Sequence, residues 1–245
     1  MNKQIHITHT WCFYTPQIAD DSLELSPEES AHCVRTLRHQ EGDLIHLVNG
    51  KGEKYKATIA KAHPKKCLVD NLRLIASQPA PSPIIHLAIA PTKNLDRIEW
   101  MIEKLCELGI SKVTFILCAH SERKVLKLER LQRKAISALK QSGNLWQMEI
   151  SPLIKLSDFL SDLPESSSRH IAVVQPDLPH LIKSVDQSSK EQIILIGPEG
   201  DFSDKEIKQA EATGFLRVSL GQGTLRTETA GLVACHTAQL AEVIG

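Results

Sequence analysis

The residues best placed to do chemistry lie in two glycine-bearing loops, each at the end of an apolar run. Ile193-Ile194-Leu195-Ile196 enters Gly197-Pro198-Glu199-Gly200. Val218-Ser219-Leu220 enters Gly221-Gln222-Gly223-Thr224-Leu225-Arg226. A helix start is expected after each loop. In α/β sheets, ligands bind outside the carboxyl ends of the strands. Two such turns on strands lying side by side would wall one pocket mostly with backbone. Gly197 and Gly200 would let a ligand approach closely, since no Cβ stands in the way. Ordinary tight turns also use glycine, so these loops alone leave both readings open. The chain lacks GxGxxG near a first strand and lacks GxxxxGK[ST], which argues against a dinucleotide fold and a P-loop.

Other reactive side chains form no constellation. The six cysteines, Cys12, Cys33, Cys67, Cys106, Cys118 and Cys235, include no CxxC pair. They read as reduced thiols of a cytoplasmic protein, not as a disulfide set or zinc site. The 11 histidines show no HxxxH on an expected helix, so no metal is expected. No apolar run approaches the roughly 20 residues that span a bilayer. Met1–Thr10 lacks both the basic and the apolar segment of a signal peptide. Net charge is zero but uneven. Residues 1–140 hold 21 Lys/Arg against 15 Asp/Glu, a balance of +6; residues 141–245 hold 8 against 14, a balance of −6. Such asymmetry suggests a polyanionic partner, although solvated charge alone also produces it.

Two kinds of element must position these residues. Residues 1–75 read as β-rich, a small barrel. Ile45–Val48, Tyr55–Ile59 and Lys66–Val69 are strand candidates, with Asn49-Gly50 as a hairpin turn. A short helix is expected over Pro27–Leu37, capped by Ser26 with Glu29 three residues on. The alternating prolines of residues 76–83 mark a linker. From 84 to 245, strands alternate with helices. Ile84–Ala90, Val113–Cys118, Ile171–Val174, Ile193–Ile196 and Leu216–Leu220 read as strands. Helices are expected over 95–108, 126–139 and 227–243, and after Ser203, where Glu206 completes a capping box. This alternation implies a mostly parallel sheet covered on both faces.

The longer motifs carry a resemblance. Leu195–Ser203 (LIGPEGDFS), Leu220-Gly221 and Leu225–Ala230 (LRTETA) resemble the signature of SPOUT methyltransferases, and among them the 16S rRNA uridine N3-methyltransferase family. Thr92-Lys93, Glu103-Lys104, Glu107-Leu108-Gly109 and Gln141-Ser142-Gly143 match that family's K…EK…ELG and QSG stretches. His32–Arg38 with Gly42-Asp43 resembles its HxxxVLR…GD segment. Three positions depart from the pattern. Asp201 replaces a usual glycine, and Asn144 and Gly223 replace arginines, removing two cations available to RNA.

The resemblance implies an α/β fold, a SPOUT-type trefoil-knotted parallel sheet with an N-terminal PUA-like β-barrel that binds RNA, acting as a homodimer. The Ala/Leu/Val-rich last helix is the expected dimer interface. It implies S-adenosylmethionine as cofactor, held by Ile196, Gly197, Pro198, Glu199, Gly200, Leu220, Gly221 and Leu225. It implies methyl transfer to uridine N3 in 16S rRNA of the small ribosomal subunit, with no metal. That nitrogen carries a proton at neutral pH. Arg226, always charged and able to fork onto an oxygen, is the candidate for stabilising charge on the uracil oxygens. Its alternative is a structural salt bridge at a helix start, an electrostatically poor place for a cation. Glu228 is the candidate base, and its alternative is stabilisation of the helix N-terminus. Arg35, Arg38 and Lys93 are the expected RNA contacts. Arg35 and Arg38 are spaced to share one helix side. Lys51, Lys54, Lys56, Lys61, Lys65, Lys66 and Arg73 make the hairpin basic, and on the helix expected near residues 121–140 Arg123, Lys124, Lys127, Arg130, Arg133 and Lys134 outnumber Glu122 and Glu129. Two rival readings remain: a non-catalytic RNA-binding assembly factor, and a SPOUT enzyme acting on a ribose 2′-hydroxyl.

Overall fold

Alternating apolar residues in the first part of the chain close one face of a five-stranded sheet. The computed structural model describes residues 11–18 and 21–244; Met1–Thr10, read above for signal-peptide character, lie outside the described residues. The strands are β1 (Cys12–Tyr14), β2 (Ser22–Glu24), β3 (Leu44–Val48), β4 (Glu53–Lys61) and β5 (Leu68–Ser77), in the order β1-β3-β4-β5-β2. Ile45, Leu47, Ala57, Ile59 and Val69 point inward with Phe13, Leu25, Cys33 and Cys67, all essentially buried. The Asn49 side chain builds the β3–β4 turn, its Oδ1 accepting from the backbone N–H of Lys51 (2.8 Å) and Glu53 (3.1 Å). The short β1 and β2 were not anticipated, since three residues are too few to show alternation.

Helix α1 (Pro27–Ala31) starts as expected, with Ser26 Oγ accepting from Glu29 N–H. It then loosens into one π-helical turn over His32–Thr36. Arg38 lies beyond that turn at φ 59°. The expectation that Arg35 and Arg38 share a helix face is therefore corrected: both are exposed, but only Arg35 is helical. Glu29 does not complete a capping box. Its buried carboxylate instead meets Lys140 Nζ at 2.6 Å. Both belong to the first compact unit, which holds the chain through Ala80 together with Leu139–Trp146.

The second unit holds Pro81–Ala138 and the chain from Gln147 onward. Its sheet comprises β6 (Ile84–Ile89), β7 (Lys112–Leu117), β8 (Glu149–Lys155), β9 (Ser167–Ala172), β10 (Glu191–Ile196) and β11 (Leu216–Val218). All pairings are parallel, in the order β11-β9-β10-β6-β7-β8. On one face lie α2 (Leu95–Glu107) and α6 (Thr227–Ile244), burying Ile98, Met101, Ile102, Leu105, Ala234, Cys235 and Ala238 against Leu87, Ile89, Ile194 and Ile196. The other face is covered by Phe159 and Leu160 of α4 (Leu156–Ser161), by Phe202, and by Ala210 of α5 (Asp204–Ala212). Helix α3 (Leu128–Ser142) buries Leu131, Ala135 and Ala138 in the first of these cores. Burial on both sides explains the near-continuous apolar runs of β6 and β10.

Sequence signals set several ends. Asn94 caps α2, and Gly109 follows it at φ 73°, a left-handed stop. Ser203 and Glu206 form the expected capping box of α5. Strand β9 ends at Ala172, two residues short of the expected Val174, and β8 and α4 were not foreseen. One correction matters for function. Strands β10 and β11 are not neighbours, because β9 lies between them.

Candidate functional site

That intervening strand completes the site. In the ladder Ile196 of β10 pairs with Ala172 of β9, and Ala172 pairs with Val218 of β11. Three strands therefore end level, and three loops leave the same carboxyl edge. They enclose a cleft of about 780 Å³. Ile196–Glu199 and Asp201 line it from the β10 loop, Ser219–Arg226 from the β11 loop, and Val173–Leu178 with His180 from the β9 loop. Thr227, Glu228 and Ala230 enter from α6, and Arg97 from α2. The β9 and β11 loops are stitched together by backbone, Ser219 N–H to the Pro179 carbonyl (2.9 Å) and Leu181 N–H to the Ser219 carbonyl (3.0 Å).

The glycines of the two recognised loops serve different ends. A Cβ on Gly197 would sit 3.0 Å from the Phe202 ring, and one on Gly200 would sit 3.1 Å from His120 Cβ. These two make room for the protein's own side chains, and Gly197 also lines the cleft. Gly200 is exposed and does not line the cleft. Gly221 differs: its φ is +133°, and a Cβ there would meet nothing within 4 Å. Side-chain bonds hold the β10 loop. His120 Nδ1 lies 3.0 Å from the carbonyls of both Gly200 and Asp201. Asp201, at φ 59°, accepts from Phe202 N–H at 2.7 Å. Glu199 Oε1 accepts from Lys93 N–H at 3.2 Å. Arg123 donates through Nε to the Thr92 carbonyl (3.0 Å) and through Nη2 to that of Lys93.

The charged candidates fall into three groups. Arg226 lines the cleft, is exposed, and has no side-chain hydrogen bond or ion pair among the described residues. The salt-bridge alternative for it has no partner here. Glu228 is buried beside the cleft, its Oε1 3.7 Å from Arg97 Nε. Lys93 lies outside the cleft lining, in an exposed ion pair with Glu122 at 2.9 Å. Nearby Cys118 is pushed up to about 12, chiefly by burial, and is no nucleophile at neutral pH. Among the described residues no cluster of His, Cys, Asp or Glu has the makings of a metal site.

Sequence reasoning missed the β9 loop and Arg97. The loop had a signal in Gln175-Pro176-Asp177, a turn-forming run, but the strand before it was placed too late. Arg97 had none, being one charged residue among several on α2.

Known proteins sharpen the assignment. Residues 79–239 match the RNA methyltransferase domain family, and residues 25–70 match the RNA methyltransferase PUA domain family. The first match includes the cleft and its loops, which sets the chain in the class of RNA methyltransferases. Ribosomal RNA small subunit methyltransferase E of Synechocystis sp. is 32% identical, covering 89% of this chain and 73% of its own. A structure of a probable rRNA-methyltransferase from Porphyromonas gingivalis is 39% identical with a TM-score of 0.87, covering 95% of this chain and 98% of its own. The methyltransferase E of Neisseria gonorrhoeae, solved with bound S-adenosyl methionine, is 26% identical with a TM-score of 0.81 over the same shares, 95% and 98%. The chain belongs to the ribosomal RNA small subunit methyltransferase E family.

Proposed function

We propose that this chain transfers the methyl group of S-adenosylmethionine to N3 of a uridine in 16S rRNA of the small ribosomal subunit. The observation that carries this is the cleft made by three level loops, with a guanidinium at its wall that is unpaired among the described residues. The cleft suits that ligand. Ile196, Leu220 and Leu225 offer an apolar slot, loop backbone offers donors and acceptors, and open space lies over Gly221. The cofactor bound to the Neisseria relative supports the same choice. When bound, S-adenosylmethionine supplies a methyl group on a positively charged sulfur.

The chain's own residues do the rest. The loops align methyl and nitrogen, which can lower the barrier by several kcal/mol. Arg226 stabilises negative charge on the uracil oxygens as N3 loses its proton. Glu228, buried at the cleft wall, receives that proton. The exposed Arg35 and Arg38 contact RNA from the PUA-like domain, expected over residues 1–75. Lys93 does so only by leaving Glu122. The implied trefoil knot, a homodimer and a cytoplasmic site of action belong to the same reading. Exposed Leu240, Val243 and Ile244 at the end of α6 support the dimer, and sedimentation velocity measures it.

The test is methyl transfer from labelled cofactor into assembled small subunits and into naked rRNA, followed by nucleoside analysis. Label in 3-methyluridine is expected; label on a ribose or no transfer overturns the reading. Arg226→Ala should lower turnover by roughly 100-fold or more while cofactor affinity by calorimetry stays near wild type.

A further inference from the structure

Arg97 reaches the cleft from α2, an element that supplies none of the three loops. It is the third residue of that helix, in the first turn. A cation there faces the positive end of the helix dipole, an unfavourable place unless an anion compensates. The anion is Glu228, whose side chain is only 7% exposed. Glu228 sits in the first turn of α6, where the dipole favours a carboxylate. Two helix starts thus bring opposite charges together at the wall of the cleft.

The separation is informative. Arg97 Nε lies 3.7 Å from Glu228 Oε1, within ion-pair range but longer than the roughly 2.7–2.9 Å of a charge-assisted hydrogen bond. The guanidinium stands beside the carboxylate without capping the oxygen. A lone pair stays available to take a proton. The Arg97 side chain is 41% exposed, so its own charge remains hydrated at little cost.

We propose that Arg97 is a positioning residue for the methyl transfer: it holds the Glu228 carboxylate aimed at the substrate nitrogen. This rests on the reading in which Glu228 accepts the N3 proton. In that step the N3–H bond breaks and its proton goes to Glu228. The N3–CH₃ bond forms as the CH₃–S bond breaks, its electron pair passing to sulfur. The neutral thioether and the protonated carboxyl account for both charges, and the proton later leaves to water.

Four full-length proteins test this: Arg97→Gln, Arg97→Lys, Glu228→Gln and the Arg97→Gln/Glu228→Gln double variant. Each is assayed for kcat and KM with cofactor and small-subunit rRNA, with cofactor affinity by calorimetry as a check on the cleft. Glu228→Gln is expected to lower kcat by about 100-fold or more. Arg97→Gln is expected to lower kcat by about tenfold with both KM values nearly unchanged, and Arg97→Lys to recover much of the loss. In the Glu228→Gln background, Arg97→Gln should cost nothing further. An equal loss in both backgrounds, or a loss confined to KM for RNA, overturns the proposal and makes Arg97 a direct RNA contact. Wild-type kcat in Glu228→Gln overturns the proton-acceptor reading itself, and wild-type kcat in Arg97→Gln alone overturns only the role of Arg97. Should Glu228→Gln not fold, the Lys variant decides: turnover no better than Arg97→Gln overturns the proposal.

Discussion

Gly221 and Gly223 stand two residues apart in one loop, yet substitution should separate them. Gly221 has φ +133°, which L side chains rarely adopt, while neither position has a neighbour within 4 Å of an added Cβ. The cost of Gly221→Ala is therefore backbone strain without a clash, about 1 kcal/mol or more. A loop relaxed to relieve that strain no longer matches the cofactor, so affinity should fall with stability. Gly223→Ala meets neither problem and should stay within about 0.5 kcal/mol of the parent. Thermal unfolding and calorimetric titration of both variants check this; equal behaviour would mean the loop backbone does not set the site. Glycine types were legible in the sequence, but not which of them space or conformation requires. Gly197 is demanded by Phe202 and Gly200 by His120, contacts across turns that no local pattern reveals. Arg226 and Glu228 could be nominated because they follow the loop directly. Arg97 could not, because its partner is brought to it only by the packing of α2 against α6.

At the scale of elements, periodicity showed the longer strands and helices, except β8, but not the order of the strands. The two recognised loops belong to β10 and β11, and the strand that separates them brought the third wall of the cleft. Strand β9 also carries a buried titratable group. His170 is fully buried, and its Nε2 donates to the Ser184 carbonyl at 2.9 Å. Burial lowers its pKa below the ordinary 6.5, although the Ser184 bond works the other way. The unfolded chain then binds a proton that the folded chain resists. Stability should be constant above the ordinary histidine value and fall as pH drops through it. Thermal midpoints between about pH 8 and pH 5 measure the effect. His170→Gln should be less stable at neutral pH, having lost a buried fit, but should show a shallower acid decline. An unchanged acid slope would assign the sensitivity elsewhere.

At the scale of the molecule, the charge asymmetry read at residue 140 does not follow the physical boundary. The first unit, through Ala80 with Leu139–Trp146, holds 11 Lys/Arg against 9 Asp/Glu, and the remainder holds 18 against 20. The balance per unit is thus +2 and −2. The expected basic helix is also corrected: Arg123, Lys124 and Lys127 precede α3, which starts at Leu128, and on α3 Arg130 is neutralised by Glu99 and Asp96 and Lys134 by Glu103. The first unit arranges its charge differently. Strand register places His46 opposite Lys56, and Lys56 opposite Arg73. Burial first, then Lys54 and Lys56, holds His46 below its usual range, a sign that the row repels a further proton. Like charges facing across strands destabilise a sheet by a few tenths of a kcal/mol. Phosphates of bound RNA would reverse that cost by neutralising the row. Lys56→Gln should therefore raise the thermal midpoint slightly while weakening RNA binding. It should also flatten the plot of log affinity against log salt by about one unit, the signature of one lost phosphate contact. Lys134→Gln, which removes a cation already held by Glu103, should leave that slope where it was. If the two substitutions change the slope equally, RNA does not read the cross-strand row, and the electrostatic footprint lies elsewhere on the chain.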